Sequence, residues 1–328
     1  MRIGISGWRY APWRGSFYPE GLRQQDELAH ASRQVRSIEI NGTFYSLQRP
    51  SSFAAWAAAT PDDFVFAVKG PRFITHIKRL RDIRAPLANF LASGVLSLGP
   101  KLGPILWQLP PSLPFDAARL DEFLTQLPRD TRAAARISRE HDRRTEKAAN
   151  VSGVMRPLRH ALEVRHVSFR SPEFIDVLRR HSVAAVVADT AGKWPLIEDQ
   201  TADFSYVRLH GDEQLYVSGY TPPALRRWQK KIEAWSRGHN PLGAQLISPR
   251  ARMRGQVRDV FVYFDNDVKV RAPYDAMTLA WMLGTGPKPG APPDLKSIAE
   301  TPRTRWPDYA RGSGRPGNRG AVRKNTDR

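Results

Sequence analysis

Cysteine is absent from the 328-residue sequence, and its absence excludes several classes of protein. A chain without cysteine has no disulfide framework, no thiolate nucleophile, no zinc finger and no cysteine-ligated iron–sulfur cluster. Long apolar runs are also missing. No stretch approaches the ~18 consecutive apolar residues of a transmembrane helix, and the N-terminal MRIGISGWRYAPW lacks the apolar segment of a signal peptide. We therefore expect a cytoplasmic protein that binds no membrane.

The short motifs of several large enzyme classes are missing as well. The sequence contains no P-loop, no G-x-S-x-G nucleophile elbow and no H-E-x-x-H zinc motif. Its first β-like run is followed by Gly7-Trp8, where a dinucleotide-binding turn needs G-x-G-x-x-G and a close approach of the backbone. These absences leave the reaction open.

Acidic residues and lysine are scarce relative to arginine. The chain has 51 Lys and Arg residues against 32 Asp and Glu residues, and 40 of the 51 are arginine, so its formal net charge is +19. Most of the excess lies in residues 129–160, 237–258 and 285–328, with net charges of +5, +5 and +6. Such a balance indicates binding to nucleic acid or another polyanion. Genome base composition is the alternative source of an arginine excess.

Short β-like runs alternate with helical patterns along most of the chain. The sequence predicts strands at residues 2–6, 36–41, 64–69, 104–108, 161–165, 184–189, 204–210 and 259–265. It predicts helices at residues 25–34, 52–59, 72–92, 116–127, 131–148, 172–181, 222–237 and 274–283, and Ser171-Pro172 and Thr221-Pro222 are typical helix starts. Eight alternating strands favour an α/β fold, a single (β/α)8 TIM-like barrel. A doubly wound open sheet is the alternative.

The domain boundary is predicted near residue 284. Residues 1–284 would form the barrel domain, and residues 285–328 would form a flexible basic tail. The tail is rich in Gly, Pro and Arg and has no apolar period, so it cannot bury enough surface to fold by itself. Residues 239–256 are predicted to form a long basic loop.

Polar side chains end seven of the eight predicted strands. Several of them form pairs spaced by two residues, and alternate strand residues point to the same side. Because the C-terminal strand ends of a TIM barrel carry the active site, we expect one polar pocket there. Its predicted residues are Glu39, Asn41, Lys69, Gln108, Glu163, Arg165, Asp189, Arg208, His210, Tyr263, Asp265 and Asn266, with His166 directly after the fifth strand. The intervening apolar residues, predicted to face outward, are Ile38, Ile40, Val164, Val187 and Leu209. The alternative is that ion pairs such as Glu39–Arg208 only tie the barrel rim together.

Aromatic residues of the predicted βα loops surround these strand ends. They could line a pocket for a ring-shaped ligand, or they could cover the top of the barrel. The residues are Trp8, Trp13, Phe17, Tyr18, Phe44 and Tyr45.

The order of these motifs resembles the domain of unknown function 72 family, also called YecE-like. The matching stretches include Gly7-Trp8, Phe17-Tyr18-Pro19, Glu39-Ile40-Asn41, Thr43-Phe44-Tyr45, Gln108-Leu109-Pro110-Pro111, Glu163 with Arg165-His166, Arg208 with His210-Gly211, and Val262-Tyr263-Phe264 with Asn266-Asp267. They span roughly residues 3–283. The resemblance implies a TIM-like barrel and implies no particular reaction. The 239–256 loop and the basic tail look longer than in the family.

The favoured function is a hydrolase or lyase that acts on an anionic small molecule or a nucleotide fragment. Glu39 and Glu163 are the acid and base candidates, and His210 or His166 could shuttle a proton near neutral pH. The predicted catalytic residues are Glu39, Glu163, His210 and Asp189. Phosphate or carboxylate would bind to Lys69, Arg165 and Arg208. The other predicted substrate-binding residues are Trp8, Asn41, Tyr45, Gln108, His166, Tyr263, Asp265 and Asn266.

No cofactor is predicted. A divalent metal is possible but not favoured, because Arg and Lys side chains interleave with the carboxylates and compete with a cation. The second hypothesis is a nucleic-acid-binding protein in which the basic segments provide affinity by counterion release. These segments lead into strands or follow the last helix. They should therefore emerge at the N-terminal face of the barrel, opposite the predicted pocket.

Overall fold

The computed structural model describes residues 1–142, 154–213, 215, 218–249, 257–265 and 270–290. Eight strands form a closed barrel, in which each strand pairs in parallel with the next and the last pairs with the first. The strands are β1 (Arg2–Ser6), β2 (Ser37–Ile40), β3 (Val65–Lys69), β4 (Leu102–Gln108), β5 (His160–Glu163), β6 (Ala184–Asp189), β7 (Phe204–Leu209) and β8 (Asp259–Phe264). The predicted (β/α)8 barrel is confirmed, and the bounds of every strand lie within two residues of the prediction.

Helices connect the strands on the outside of the barrel. They are α1 (Glu27–Gln34), α2 (Gly42–Tyr45), α3 (Pro50–Ala59), α4 (Arg84–Ala92), α5 (Ala117–Gln126), α6 (Thr131–Ser138), α7 (Pro172–Arg180), α8 (Pro222–Ser236) and α9 (Arg271–Met282). Short 3-10 turns lie at Ala11–Trp13, Gln24–Asp26, Val95–Lys101 and Val167–Phe169.

Two helix predictions are wrong. The continuous helix over residues 72–92 is a single π-helical turn, Phe73–Ile77, followed by a loop and then α4. Arg79, Leu80 and Asp82 interrupt it, because their φ angles of 50°, 69° and 47° lie in the left-handed region that a right-handed helix excludes. The helix over residues 131–148 ends at Ser138, and residues 143–148 lie outside the described part of the chain.

Helix capping accounts for several helix starts. The side chain of Asp130 accepts a hydrogen bond from the backbone N–H of Ala133 at 2.7 Å, and that of Thr221 accepts one from Ala224 at 3.3 Å. Ser171 occupies the predicted N-cap position before Pro172, but its side chain accepts no bond from the helix. Proline at the first helical position therefore contributes to the start of α7 without the serine cap.

The barrel has two apolar layers. Ile38, Ile40, Val164, Val187 and Leu209 lie in the outer core against the helices, as predicted. The inner layer fills the barrel and consists of small side chains on one side and aromatic side chains on the other. Its members include Ala67, Leu106, Ala161, Ala184, Val186, Ala188, Phe204, Tyr206, Phe261 and Tyr263.

The parallel register brings the polar strand ends to one face. Ser6 of β1 lies opposite Glu39 of β2, and Gln108 of β4 lies opposite Glu163 of β5. Gly4 makes the close approach of β1 to β2 possible, since a Cβ at this position would lie 1.8 Å from the carbonyl oxygen of Ser37.

The described parts of the basic segments contact the other face. The backbone N–H groups of Ile247 and Ser248 donate to the Asp199 carboxylate, just before β7, at 2.8 and 2.9 Å. At the start of the predicted tail, Arg36 donates to the carbonyl of Thr285 at 2.8 Å. Residues 143–153, 250–256 and 291–328 lie outside the described ranges, so the prediction of a flexible tail stays a prediction. No helix in the described ranges is long and apolar enough to cross a membrane.

Candidate functional site at the C-terminal end of the barrel

A cavity of about 690 Å³ opens at the C-terminal ends of the strands. The first βα loops and α2 form one wall, and the ends of β3, β4 and β5 form the other. Eight of the residues predicted from the strand ends and loops line it: Trp8, Asn41, Phe44, Tyr45, Lys69, Gln108, Arg165 and Asp265. The parallel register therefore brings together side chains that are separated by up to 257 residues in sequence.

A buried network of charges lies beneath the cavity and is centred on Arg208, whose side chain is fully buried. One of its terminal nitrogens, Nη1, donates to Glu163 at 2.6 Å. The other, Nη2, donates to Glu39 and to Asp265, both at 2.8 Å, and lies 3.2 Å from the Ser6 hydroxyl. One guanidinium thus holds three carboxylates that come from β2, β5 and the residue after β8.

Further contacts satisfy the remaining carboxylate oxygens. The Tyr206 hydroxyl donates to Glu39 at 2.6 Å, and the Ser6 hydroxyl donates to the same carboxylate. Arg165 donates to Glu163 at 2.8 Å, and its guanidinium stacks 3.8 Å from the centroid of the Trp194 ring. These contacts hold Glu39 and Glu163 in fixed positions, as the rim ion-pair alternative expected.

The network holds its carboxylates in the charged form. Burial by itself would raise the pKa of Glu163, but the guanidinium groups of Arg165 and Arg208 outweigh burial and hold that pKa well below its usual range. Burial likewise opposes ionisation of Asp265, yet Arg208 and a hydrogen bond from His210 lower its pKa to about 2. The geometry therefore favours a positioning role for Glu163 over a role as proton donor.

Lys69 is the buried cation that faces the cavity directly. Its side chain is at the end of β3, and its Nζ lies 4.4 Å from the centroid of the Phe44 ring. Burial and the nearby Arg208 charge lower the pKa of Lys69 to about 8, although Glu39, Asp265 and Glu163 act in the opposite direction. A lysine with this pKa exchanges protons close to neutral pH.

His76, which follows Lys69 by seven residues, stays neutral at pH 7. Burial and, to a smaller extent, the charges of Lys69, Arg165 and Arg72 together lower its pKa to about 4. Its ring packs edge-on against Phe44, with centroids 5.1 Å apart.

Three predicted site residues lie neither in the cavity wall nor in the charge network beneath it. Asp189 accepts a hydrogen bond from the Tyr220 hydroxyl at 3.0 Å, and burial raises its pKa. His166 uses its Nδ1 to cap the turn at Val167–Phe169. Tyr263 points into the barrel interior, where its hydroxyl lies 2.7 Å from that of Ser37. Position at the end of a strand does not give the direction or depth of a side chain, so it could not place these three side chains.

The remaining predicted residues lie beneath the cavity or outside the described chain. Glu39, Glu163, Arg208 and His210 are fully buried under the cavity floor. His210 contacts the Asp265 carboxylate at 3.0 Å. Asn266 lies outside the described residues.

The sequence analysis missed several residues of the cavity wall, namely Arg9, Tyr10, Trp56 and Arg72. Arg72 follows the end of β3 by three residues, and Arg9 follows the end of β1 by three, so a search of the βα loops for cations would find both. Trp56 is on α3, where no strand-end signal exists, and reaches the cavity through an edge-on contact with Trp8 at 5.3 Å between centroids.

The predicted aromatic group divides into two parts. Trp8, Phe44 and Tyr45 line the cavity. Trp13, Phe17 and Tyr18 are buried and do not line it. They pack against each other, with the rings of Trp13 and Phe17 5.5 Å apart and those of Phe17 and Tyr18 4.9 Å apart. Half of the predicted aromatic set therefore lines the cavity, and the other half is buried beside it.

Acid should destabilise the protein through this network. The pKa of Asp265 is lower in the folded protein than its usual value, so its contribution to stability is present above pH ~4 and is lost as the pH falls towards ~2. We expect Asp265→Asn to lower the free energy of unfolding by ~2 kcal/mol at neutral pH, because charge-assisted bonds to Arg208 and His210 are lost.

Urea denaturation of both proteins across this pH range measures the effect. The difference between wild type and Asp265→Asn should narrow as the pH falls, because protonation neutralises the wild-type carboxyl as well. A difference that stays constant from neutral pH to pH ~2 would contradict the assignment of Asp265 as a buried anion.

Fold and site together define a (β/α)8-barrel protein with a cation-lined cavity over a buried arginine–carboxylate network. The chain belongs to the DUF72 family: the family model described as "Protein of unknown function DUF72" matches residues 2–297. It is similar to the UPF0759 protein YecE of Escherichia coli (strain K12), with 26% identity over 243 residues that cover 73% of this chain and 83% of that protein. The UPF0759 protein YunF of Bacillus subtilis (strain 168) is 24% identical over 290 residues, covering 81% and 88%.

Solved structures of the family share the fold. The crystal structure of a DUF72 family protein (TM1631) from Thermotoga maritima superimposes with a TM-score of 0.65 at 24% identity, covering 86% of this chain and 98% of that one. A DUF72 family protein (EF0366) from Enterococcus faecalis gives a TM-score of 0.62 at 14% identity, covering 88% and 99%. At these identities the similarity establishes the fold.

Proposed function

We propose that the cavity binds an anionic small molecule that carries a phosphate or carboxylate group and a ring, and that the protein acts on it as a hydrolase or lyase. The observation that carries the proposal is the charge of the cavity wall. Four cationic side chains, Arg9, Lys69, Arg72 and Arg165, line it, and Asp265 provides the one carboxylate among the described residues of its wall. Guanidinium and ammonium groups bind phosphate and carboxylate oxygens through charge-assisted hydrogen bonds.

The aromatic side chains of the wall support a ring in the ligand. Five of them surround the opening, and edge-on pairs such as Phe44–Tyr45, with centroids 5.1 Å apart, leave flat surfaces for stacking. The volume of about 690 Å³ lies within the range of small-molecule sites. The aromatic residues are Trp8, Tyr10, Phe44, Tyr45 and Trp56.

The side chain that lies between the carboxylates of Glu39 and Glu163 excludes one class of reaction. Glycoside hydrolysis by two carboxylates requires the sugar to lie between them. Here the Arg208 guanidinium fills the space between Glu39 and Glu163. Lys69 faces the cavity and is therefore the group assigned to proton exchange with a ligand, while Glu39, Glu163 and Asp265 hold Arg208 in place.

A thermal-shift screen tests the binding proposal on the full-length protein. Nucleoside monophosphates, sugar phosphates and aromatic carboxylates are the probes. A probe at ten times its Kd should stabilise the protein by ~1.4 kcal/mol, which raises Tm measurably. Arg72→Ala should weaken the Kd about tenfold or more, because a charge-assisted hydrogen bond contributes ~1.5–3 kcal/mol.

Arg226→Ala provides the matched control, because Arg226 is exposed on α8 outside the cavity wall. Its probe affinity should equal that of wild type. Equal loss of binding in both variants would contradict a cavity site and indicate general attraction of anions to a basic protein. A single-stranded DNA oligonucleotide, run beside the small probes, separates the nucleic-acid alternative: unchanged DNA affinity in Arg72→Ala places DNA binding outside the cavity.

A further inference from the structure

Two buried lysines of this barrel have different surroundings. Lys101 is 8% exposed, and its Nζ donates hydrogen bonds to the carbonyls of Ala57 at 2.7 Å and Thr60 at 2.8 Å. Lys69 is also 8% exposed, yet its Nζ makes no hydrogen bond or ion pair with any residue in the described ranges. The Nζ of Lys69 lies over the Phe44 ring at the wall of the cavity, so a ligand in the cavity can reach it.

The carboxylates that could pair with Lys69 are already engaged. Glu39, Glu163 and Asp265 are each within 2.8 Å of an Arg208 nitrogen. Arg208 presents N–H donors on two nitrogens in one plane and so contacts all three carboxylates, which the single ammonium of Lys69 cannot do. Within the described residues, the network beneath the cavity therefore leaves the Lys69 amine without a counterion.

We infer that Lys69 is the nucleophile of this cavity and forms an imine with an aldehyde or ketone group of the anionic ligand. The inference deepens the proposed function and rests on it, since the ligand must first bind through its anionic group. Lysine amines activated by burial beside other cations are the groups that form such imines with carbonyl substrates. The nucleophile and the anion-binding arginines share one wall, so a carbonyl compound with a phosphate can reach both.

The chemical step is balanced within the site. The lone pair of the neutral Lys69 amine forms a C–N bond to the carbonyl carbon, and the C=O π electrons move to oxygen, which takes up a proton. Loss of water from this carbinolamine removes the former carbonyl oxygen and leaves a C=N bond to Nζ. The net change is one amine plus one carbonyl compound to one imine plus one water, with no oxidant or reductant.

The surroundings of Lys69 favour its neutral form. Burial and the Arg208 charge act in that direction, and its pKa of about 8 leaves roughly a tenth of the molecules unprotonated at pH 7. The phosphate of a bound ligand would form ion pairs with the cations near Lys69. The charged and titratable groups that face Lys69 are Arg208, Glu39, Asp265 and Glu163 from the floor and Arg72, His76 and Arg165 from the wall.

Pyridoxal 5′-phosphate is a suitable probe, since it carries an aldehyde, a ring and a phosphate. The full-length protein is incubated with it and reduced with sodium borohydride, whose hydride adds to the imine carbon and fixes the adduct. Peptide mass spectrometry then gives the modified lysine. Pyridoxine 5′-phosphate has an alcohol in place of the aldehyde, so it competes for the site and cannot form an imine.

We expect Lys69 to be modified at least tenfold faster than the exposed Lys230, with a rate that rises through pH ~8. Pyridoxine 5′-phosphate should suppress the modification. Lys69→Arg, which keeps the positive charge, should lose the adduct. Lys230→Arg should behave as wild type.

The outcomes separate the two proposals. If both phosphates raise Tm but Lys69 stays unmodified, the imine is excluded and anion binding stands. If Lys69 is modified without competition by pyridoxine 5′-phosphate, the nucleophile is supported and phosphate binding in the cavity is contradicted. If neither phosphate binds and Lys69 is no more reactive than Lys230, both proposals fail.

Discussion

Replacing Arg208 with methionine should lower the free energy of unfolding by ~3–5 kcal/mol, because three buried carboxylates each lose an ion pair with its guanidinium. The methionine side chain fills much of the same volume, so the loss reports charge and not an empty cavity. Urea denaturation followed by tryptophan fluorescence measures it. The effect should shrink in acid, since protonation of Glu163 and Asp265 removes the uncompensated charge.

Two further variants keep this prediction testable if Arg208→Met does not fold. Arg208→Lys keeps one positive charge but cannot span the carboxylates as the guanidinium does, so we expect an intermediate loss. Arg180→Met is the matched control: Arg180 pairs with Asp121 at 3.0 Å on the surface, with 59% of its side chain exposed, and its loss should cost less than ~1 kcal/mol. If both Arg208 variants lose less than ~1 kcal/mol of unfolding free energy, as expected for the exposed Arg180, Arg208 does not hold the network together.

Gly4→Ala should destabilise the barrel by ~3 kcal/mol, at the upper end of the range for overpacking. A Cβ at this position would lie 1.8 Å from the Ser37 carbonyl oxygen, which is backbone and cannot rotate away. Strands β1 and β2 would have to move apart, and Ser6 and Glu39, which lie opposite each other at the end of these strands, would separate. Equilibrium unfolding measures the loss, and probe binding should fall with it.

Gly290→Ala is the control for the glycine prediction. Nothing lies within 4 Å of a Cβ at Gly290, and its φ is outside the left-handed region, so the change should leave stability within ~0.5 kcal/mol. Wild-type stability in Gly4→Ala would mean that the two strands are farther apart in solution than the structure gives. Comparing Gly4→Ala with Gly290→Ala thus separates the effect of the close contact between the strands from the general effect of replacing a glycine.

Much of the candidate site could be predicted from the sequence because parallel strands align their C-terminal ends. Lys69, Gln108 and Arg165 were found from their place at or just after a strand end, and all three line the cavity. The same reasoning did not give the positions of His166 and Tyr263. His166 caps the turn at Val167–Phe169, and the Tyr263 hydroxyl lies inside the barrel, 2.7 Å from that of Ser37.

The roles of the two glutamates could not be derived from their spacing. Glu39 and Glu163 are 124 residues apart, and sequence distance carries no information about the separation of their carboxylates. The structure places Arg208 between them, and their ion pairs with it keep both side chains beneath the cavity floor. Availability of a carboxylate for proton transfer depends on its partners, which only the folded chain defines.

The sequence by itself determined the barrel, its eight strands and the end of the barrel that carries the polar residues, because these follow from local periodicity and from the geometry of parallel sheets. Tertiary structure decided which polar residues face the cavity and which neutralise each other beneath it. It also decided that no carboxylate of the described residues pairs with the Lys69 amine, because Arg208 holds Glu39, Glu163 and Asp265. Charge pairing in a buried site depends on distances of a few ångströms, and residues distant in sequence set those distances.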